Sequence, residues 1–233
     1  MILCTGCSFT YGEELADLNQ AYPIQLGKMM NNTPVINAGI KGASNDYIHR
    51  TTMENCLTHK PDMVIVQWTE TNRLELHPNL PVNIGPYKSY TGPLQVNIRT
   101  DHKFINTYYK EWWDEKHAFM KWIWQVIATQ NFLNNNNIPY IMINGFGNQE
   151  LIKKYNDLPE YNHINTEQFM GWPDEGITEW VYGTPLMPKG HPGPEGHRKV
   201  AEKICREIDG NIIPTSVFVL SKYCHAVSPC NSK

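Results

Sequence analysis

The 233 residues carry 20 Lys and Arg against 23 Asp and Glu, a formal net charge of −3. There is no basic run to meet nucleic acid and no acidic tail, and the longest apolar runs fall far short of the ~20 residues a membrane helix needs. The length suits one large domain, or a domain with insertions, with enough chain to bury a sizeable core.

In chain order, the apolar run Met1 to Cys4 predicts a first buried strand, which closes on Gly6, Ser8 and Gly12. Because Met1 opens directly in that run, the layout of a secretion signal is missing. A cytoplasmic location and reduced thiols are therefore expected, although a mature form with its signal removed stays open. Tyr22 to Met30 reads as a helix with Pro23 in its first turn. Val35-Ile36 is a short second strand, and Asn45 to Leu57 a helix capped by Ser44 or Asn45. Met63 to Trp68 is apolar on both faces, as a central parallel strand should be. Residues 73–103 lack sustained periodicity and read as an insertion near the site. Phe104 to Leu133 predicts one long helix carrying Trp112, Phe119, Trp122, Ile123 and Val126 at roughly helical spacing. The tryptophans at 112, 113, 122 and 124 read as core in preference to a sugar platform. Ile138 to Ile143 is a further buried strand, residues 145–187 a second, irregular insertion, and Gly193-Pro194-Glu195 the start of a helix with Val200, Ala201, Ile204 and Ile208 on its core face. Residues 210–233 form a tail in which Ser216 to Leu220 could add a strand. Strands alternating with helices predict a parallel sheet covered on both faces.

An apolar run ending in Gly-x-Ser hands a serine to a turn at the carboxyl edge of a sheet, where open α/β folds bind ligands. A serine hydroxyl attacks only when a base takes its proton. His191 is the best base: Pro192 holds it extended and the Gly-Pro helix start follows. The 183 positions between them are no objection, since such groups meet in space. His197 reads as a residue on the helix surface or packed on the sheet. Cys4-x-x-Cys7 could be a redox pair, but Cys4 lies inside the predicted strand, whereas such a pair needs its first cysteine exposed at a helix start. Cys224 and Cys230 could pair in the tail if the surroundings oxidise. No metal-ligand spacing and no phosphate loop is visible, so no metal and no cofactor are expected.

Four segments in this order, Gly6-Cys7-Ser8-Phe9-Thr10-Tyr11-Gly12, Asn37-Ala38-Gly39-Ile40-Lys41-Gly42, Pro61 to Arg73, and His191-Pro192-Gly193-Pro194-Glu195-Gly196-His197, resemble blocks I, II, III and V of the SGNH (GDSL-like) hydrolases. The resemblance covers most of residues 1–209 and is similar to that of SGNH-like proteins of phages and marine bacteria. It implies a three-layer α/β/α sandwich with a central, mostly parallel sheet, flavodoxin-like in layout. It further implies ester hydrolysis with Ser8 as nucleophile and His191 as general base. The oxyanion donors it nominates are the N–H groups of Ser8 and Gly42 and an asparagine from block III. Block III departs from Gly-x-Asn-Asp: Thr71 takes the asparagine's place and Asn72 falls one position late. Asn72 is the preferred donor, with Thr71 and Asn45 as alternatives. The family's acid, three residues before the histidine, is replaced by Pro188, with Lys189 the nearest charge. Asp174, Glu175 or Glu195 could serve instead, or a backbone carbonyl could hold the ring. The expected substrate is an acyl or O-acetyl ester on a carbohydrate or lipid. The alternative is an SGNH-fold protein without activity, a virion component or a sugar-binding surface. Oligomer or virion assembly stays open.

Overall fold

The computed structural model describes residues 1–210, apart from 79–81, 85–86, 91–92, 183, 185 and 189. In chain order the elements are β1 (Ile2–Thr5), α1 (Ser8–Tyr11), α2 (Tyr22–Met29), β2 (Val35–Asn37), α3 (Asn45–His59), β3 (Met63–Trp68), β4 (Arg73–Leu76), β5 (Val82–Ile84), β6 (Tyr87–Tyr90), β7 (Leu94–Asn97), α4 (Lys103–Glu111), α5 (Glu115–Asn135), β8 (Tyr140–Asn144), α6 (Gln149–Lys154), β9 (Phe169–Met170), α7 (Ile177–Val181) and α8 (Pro194–Asp209).

Five strands form one parallel sheet in the order β2-β1-β3-β8-β9. Every residue of β1, β3 and β8 is buried, which is why these segments read as unbroken apolar runs and not as alternating ones. Helices α3 and α5 pack together, with α3 also against β1 and β3, whereas α2 packs on α8 and β2. Right-handed crossovers account for the division: the chain leaves β1 toward β2, then crosses back over β1 to reach β3, so the two connections cover opposite faces. The reversal puts a crevice at the carboxyl ends of β1 and β3, the place where such sheets bind ligands. Trp122, Phe119, Ile123 and Val126 of α5, and Val200, Ala201 and Ile204 of α8, fill the core. Truncating Trp122 to alanine should cost about 3–5 kcal/mol.

The predicted strands and the helices at 22, 45 and 194 stand within a few residues of their expected bounds, and Ser44 caps α3 by accepting from the Tyr47 N–H at 3.2 Å. Other expectations change. The stretch from 104 to 133 is two helices: Asp114 accepts from the His117 N–H at 2.7 Å and so starts α5 afresh after a break at Trp112 and Trp113. The stretch 73–103 carries short strands that its lack of periodicity does not show. It holds the antiparallel pairs β4–β7 and β5–β6, and β4–β7 shares with α4 a small second core of Leu94, Val96, Ile105 and Tyr109. The tryptophans divide: Trp122 is core, while Trp112 is 77% and Trp124 44% exposed. Cys4, Cys7 and Cys56 are free and buried. The suggested strand at 216–220, Cys224, Cys230 and Lys189 lie outside the described residues.

Candidate active site

The turn after β1 is built around one buried amide. Gln67 is the polar residue in the otherwise apolar β3. Its Oε1 accepts from the Cys7 N–H and the Thr10 hydroxyl, each at 3.0 Å, and its Nε2 donates to the Trp68 carbonyl at 2.6 Å. Gly6 lies against this group: a Cβ there would fall 2.1 Å from Thr10 Oγ1 and 2.7 Å from Gln67 Oε1, so only hydrogen fits. The second motif clamps the same turn. Asn37 Nδ2 donates to the Thr10 carbonyl at 2.9 Å, while a Cβ on Gly39 would sit 2.5 Å from the Tyr11 nitrogen. These contacts fix Ser8 as the first residue of α1, its side chain nearly buried.

His191 reaches this serine across 183 positions, with Nε2 at 3.0 Å from Ser8 Oγ. That is hydrogen-bond distance for a nucleophile and its base. The imidazole stands edge-on to Phe9, ring centroids 5.6 Å apart, and Phe9 packs on Phe146 at 4.9 Å. Buried Pro192 and a 2.7 Å bond from the Gly193 N–H to the Leu186 carbonyl hold the histidine's loop to the start of α8.

The carboxylates facing His191 come from none of the expected positions. Asp174 pairs with Lys153, Glu175 accepts from the Trp180 indole N–H, and Glu195 pairs with Arg198. Instead, Glu14 Oε1 lies 3.5 Å from His191 Nδ1, and Glu13 places Oε2 3.4 Å from Nε2 and Oε1 3.4 Å from Lys41 Nζ. Both belong to the turn that follows Ser8. Glu14 adopts φ +69°, a left-handed conformation that costs a non-glycine residue about 1–2 kcal/mol. Two adjacent carboxylates five and six positions past the serine were the available signal.

His197 is not on the helix surface. It is fully buried, stacks on Tyr22, and its Nδ1 accepts from the Tyr22 N–H at 3.1 Å, so it caps α2 from another helix. An unprotonated ring is required for that bond. Burial first, and the charge of His191 second, push its pKa down to about 4. The signal was its place three and four residues before Val200 and Ala201, on the stripe that faces the core. Cys4 and Cys7 are also fully buried, and burial pushes the Cys4 thiol far up, which rules out the accessible redox pair.

Gly42 takes φ +70°, and a Cβ built there would meet nothing within 4 Å, so the backbone at 42 borders open space. Asn45 cannot spare its amide: Nδ2 donates to the Thr69 carbonyl at 3.0 Å and Oδ1 accepts from the Thr69 N–H at 2.9 Å. Its part is to pin the end of β3. Asn72 immediately precedes β4, and its backbone carbonyl accepts from the Tyr109 hydroxyl. Beyond it lies a cleft of about 180 Å³ lined by Thr71, Arg73, Tyr108, Trp112 and Trp113 among others. Arg73 joins this cleft to the serine's surroundings, since its guanidinium lies 4.8 Å from the Phe146 ring. Among the described residues, no cluster of His, Cys, Asp and Glu could hold a metal, and no helix is long and apolar enough to cross a membrane.

The profile of a family of unknown function, DUF6071, matches residues 12–166, which stop short of both Ser8 and His191. No curated protein matches the sequence. Among solved structures, a lipolytic protein of the G-D-S-L family from Desulfitobacterium hafniense is similar at 16% identity and TM-score 0.51, over 88% of this chain and 98% of its own. An acetyl-xylooligosaccharide esterase, Axe2, from Geobacillus stearothermophilus gives 16% and 0.51, over 89% and 93%. The acetyl xylan esterase Est2A of Butyrivibrio proteoclasticus gives 14% and 0.51, over 90% and 64%. The chain thus has the three-layer SGNH hydrolase fold.

Proposed function

This chain belongs to DUF6071, a family of unknown function, and we propose that it is a serine hydrolase cleaving an acyl or O-acetyl ester on a carbohydrate or lipid. The observation that carries this reading is the 3.0 Å approach of His191 Nε2 to Ser8 Oγ at the crevice of the sheet. His191 takes the Ser8 proton as Oγ attacks the ester carbonyl. The N–H groups of Ser8 and Gly42 and the Asn72 amide stabilise the oxyanion. His191 then returns the proton to the leaving alkoxide, which departs and leaves an acyl group on Ser8. Water, deprotonated by His191, attacks that acyl group. The acid leaves and Ser8 is regenerated. No step needs a metal or cofactor. The names of the similar acetyl xylan esterases support an O-acetyl group on a sugar as the first substrate to try.

The test is turnover of p-nitrophenyl acetate and of acetylated xylo-oligosaccharides by the parent chain and by Ser8→Ala. Turnover that falls about 10³-fold or more in the variant supports the reading. Near-parent turnover in Ser8→Ala excludes Ser8 as nucleophile.

A second reading, a sugar-binding SGNH-fold protein without activity, draws on Trp112, which lines the cleft and is 77% exposed, and on Pro188 in the acid's place. It predicts oligosaccharide binding with no hydrolysis of any ester tried.

A further inference from the structure

We propose that Glu14 is the positioning carboxylate for His191, supplied by the nucleophile's own turn in place of an acid three residues before the histidine. The inference rests on the Ser8–His191 reading.

Three observations carry it. His191 uses Nε2 for Ser8, so an orienting acid must face Nδ1, and Glu14 Oε1 does so at 3.5 Å. Nδ1 itself is buried and makes no hydrogen bond, and a buried polar atom of this kind calls for a partner. Closing 3.5 Å to hydrogen-bond distance needs only a small side-chain rotation, and catalytic hydrogen bonds are often long before substrate binds. Finally, Glu14 holds a left-handed backbone at φ +69° that glycine would adopt without strain. Glu13 is the rival, but it faces Nε2, already taken by Ser8, and is shared with Lys41. Among the described residues, the titratable groups facing His191 are Glu13 and Glu14 from this turn and His197 from α8. With Glu14 in place, Nδ1–H donates to the carboxylate, the tautomer with a free Nε2 is favoured, and the imidazolium formed during attack is stabilised.

The experiment compares Glu14→Gln, Glu14→Gly, Glu14→Asp and Glu13→Gln in the full chain. One readout is kcat and KM on an ester the parent cleaves, across pH. The other is an NMR titration of the His191 imidazole, which needs no turnover. Glu14→Gln should lower kcat about 10- to 10³-fold, with KM within threefold. The acid limb of the rate profile and the His191 titration should both move lower, because the imidazolium loses its counter-charge. Glu14→Gly, relieved of the backbone strain, should lose the same kcat in a chain at least as stable, which separates charge from structure. Glu14→Asp should recover part of the rate. Glu13→Gln should be at least tenfold milder than Glu14→Gln. Glu14→Gln and Glu14→Gly variants with kcat within twofold of the parent and an unmoved His191 titration would overturn the proposal. A parent that cleaves no ester would count against the serine-hydrolase reading, and the titration alone would then decide whether Glu14 holds His191.

Discussion

Two histidines flank the start of α8, six positions apart, in opposite surroundings. His191 stands in the loop before the helix, partly open, with one ring nitrogen on Ser8 and two carboxylates within 3.5 Å. His197 lies in the helix itself, sealed between α8 and α2, holding the Tyr22 N–H. The helix packed on α2 anchors His197, and the Pro-Gly turn before it leaves His191 free to reach over the sheet edge. Residue type alone does not separate a histidine that faces a serine from one that caps a helix. The backbone context does.

The comparison breaks most visibly in activity. His191→Ala should remove about 10³-fold or more of turnover, equal to Ser8→Ala, and the double variant should be hardly worse because the two act as a unit. Steady-state rates on one ester check this, and a double-variant deficit near the product of the two single ones would contradict it. Gln67→Ala should come next. It leaves the Cys7 N–H and Thr10 hydroxyl without their acceptor, and the resulting shift of Ser8 should cost about 10- to 10²-fold in kcat, with about 1–3 kcal/mol of stability. Chemical denaturation beside kinetics separates the two effects.

His197→Ala should do the reverse, losing about 2–4 kcal/mol for the cavity and the unpaired Tyr22 N–H while turnover of the folded chain falls less than tenfold. The pH dependence sharpens the contrast. A folded-state pKa of about 4 lies below the ordinary 6.5, so the unfolded chain binds the extra proton between these values. Stability is fully present above about 6.5 and is lost as pH falls toward 4, by up to about 3 kcal/mol. His197→Gln should flatten most of that loss in thermal melts between pH 7 and 4. A residual slope draws on His49, whose pKa burial also lowers, and on Glu115 and Glu195, which Lys154 and Arg198 hold below the ordinary carboxylate value. The smallest effect is at Pro188. With Glu14 already facing Nδ1, Pro188→Asp should leave kcat/KM within about twofold, and a large gain would mean that His191 lacks a partner.

The sheet was legible because β1, β3 and β8 are buried on both faces and carry no alternation to misread. The meeting of Ser8 and His191 could be anticipated because glycine and proline punctuate the turns that present the two residues. The second core around β4, β7 and α4 was not, since a cluster of Leu94, Val96, Ile105 and Tyr109 leaves too little periodicity across strands of four residues. The break between α4 and α5 was hidden by aromatic spacing that ran across it, although Asp114 marked it. Gln67 and Glu14 escaped for another reason. Each acts through contacts made only in the folded chain, one across neighbouring strands and one with a histidine far along the sequence.

The central claim is that Ser8 is an activated nucleophile with His191 as its base. Fluorophosphonate labelling with mass mapping tests it most directly, because it reads the serine's reactivity without a known substrate. The account predicts one adduct, on Ser8, strongly slowed in His191→Ala and little changed in His197→Ala. A folded parent chain that takes no label at Ser8, or that labels equally fast without His191, would contradict it.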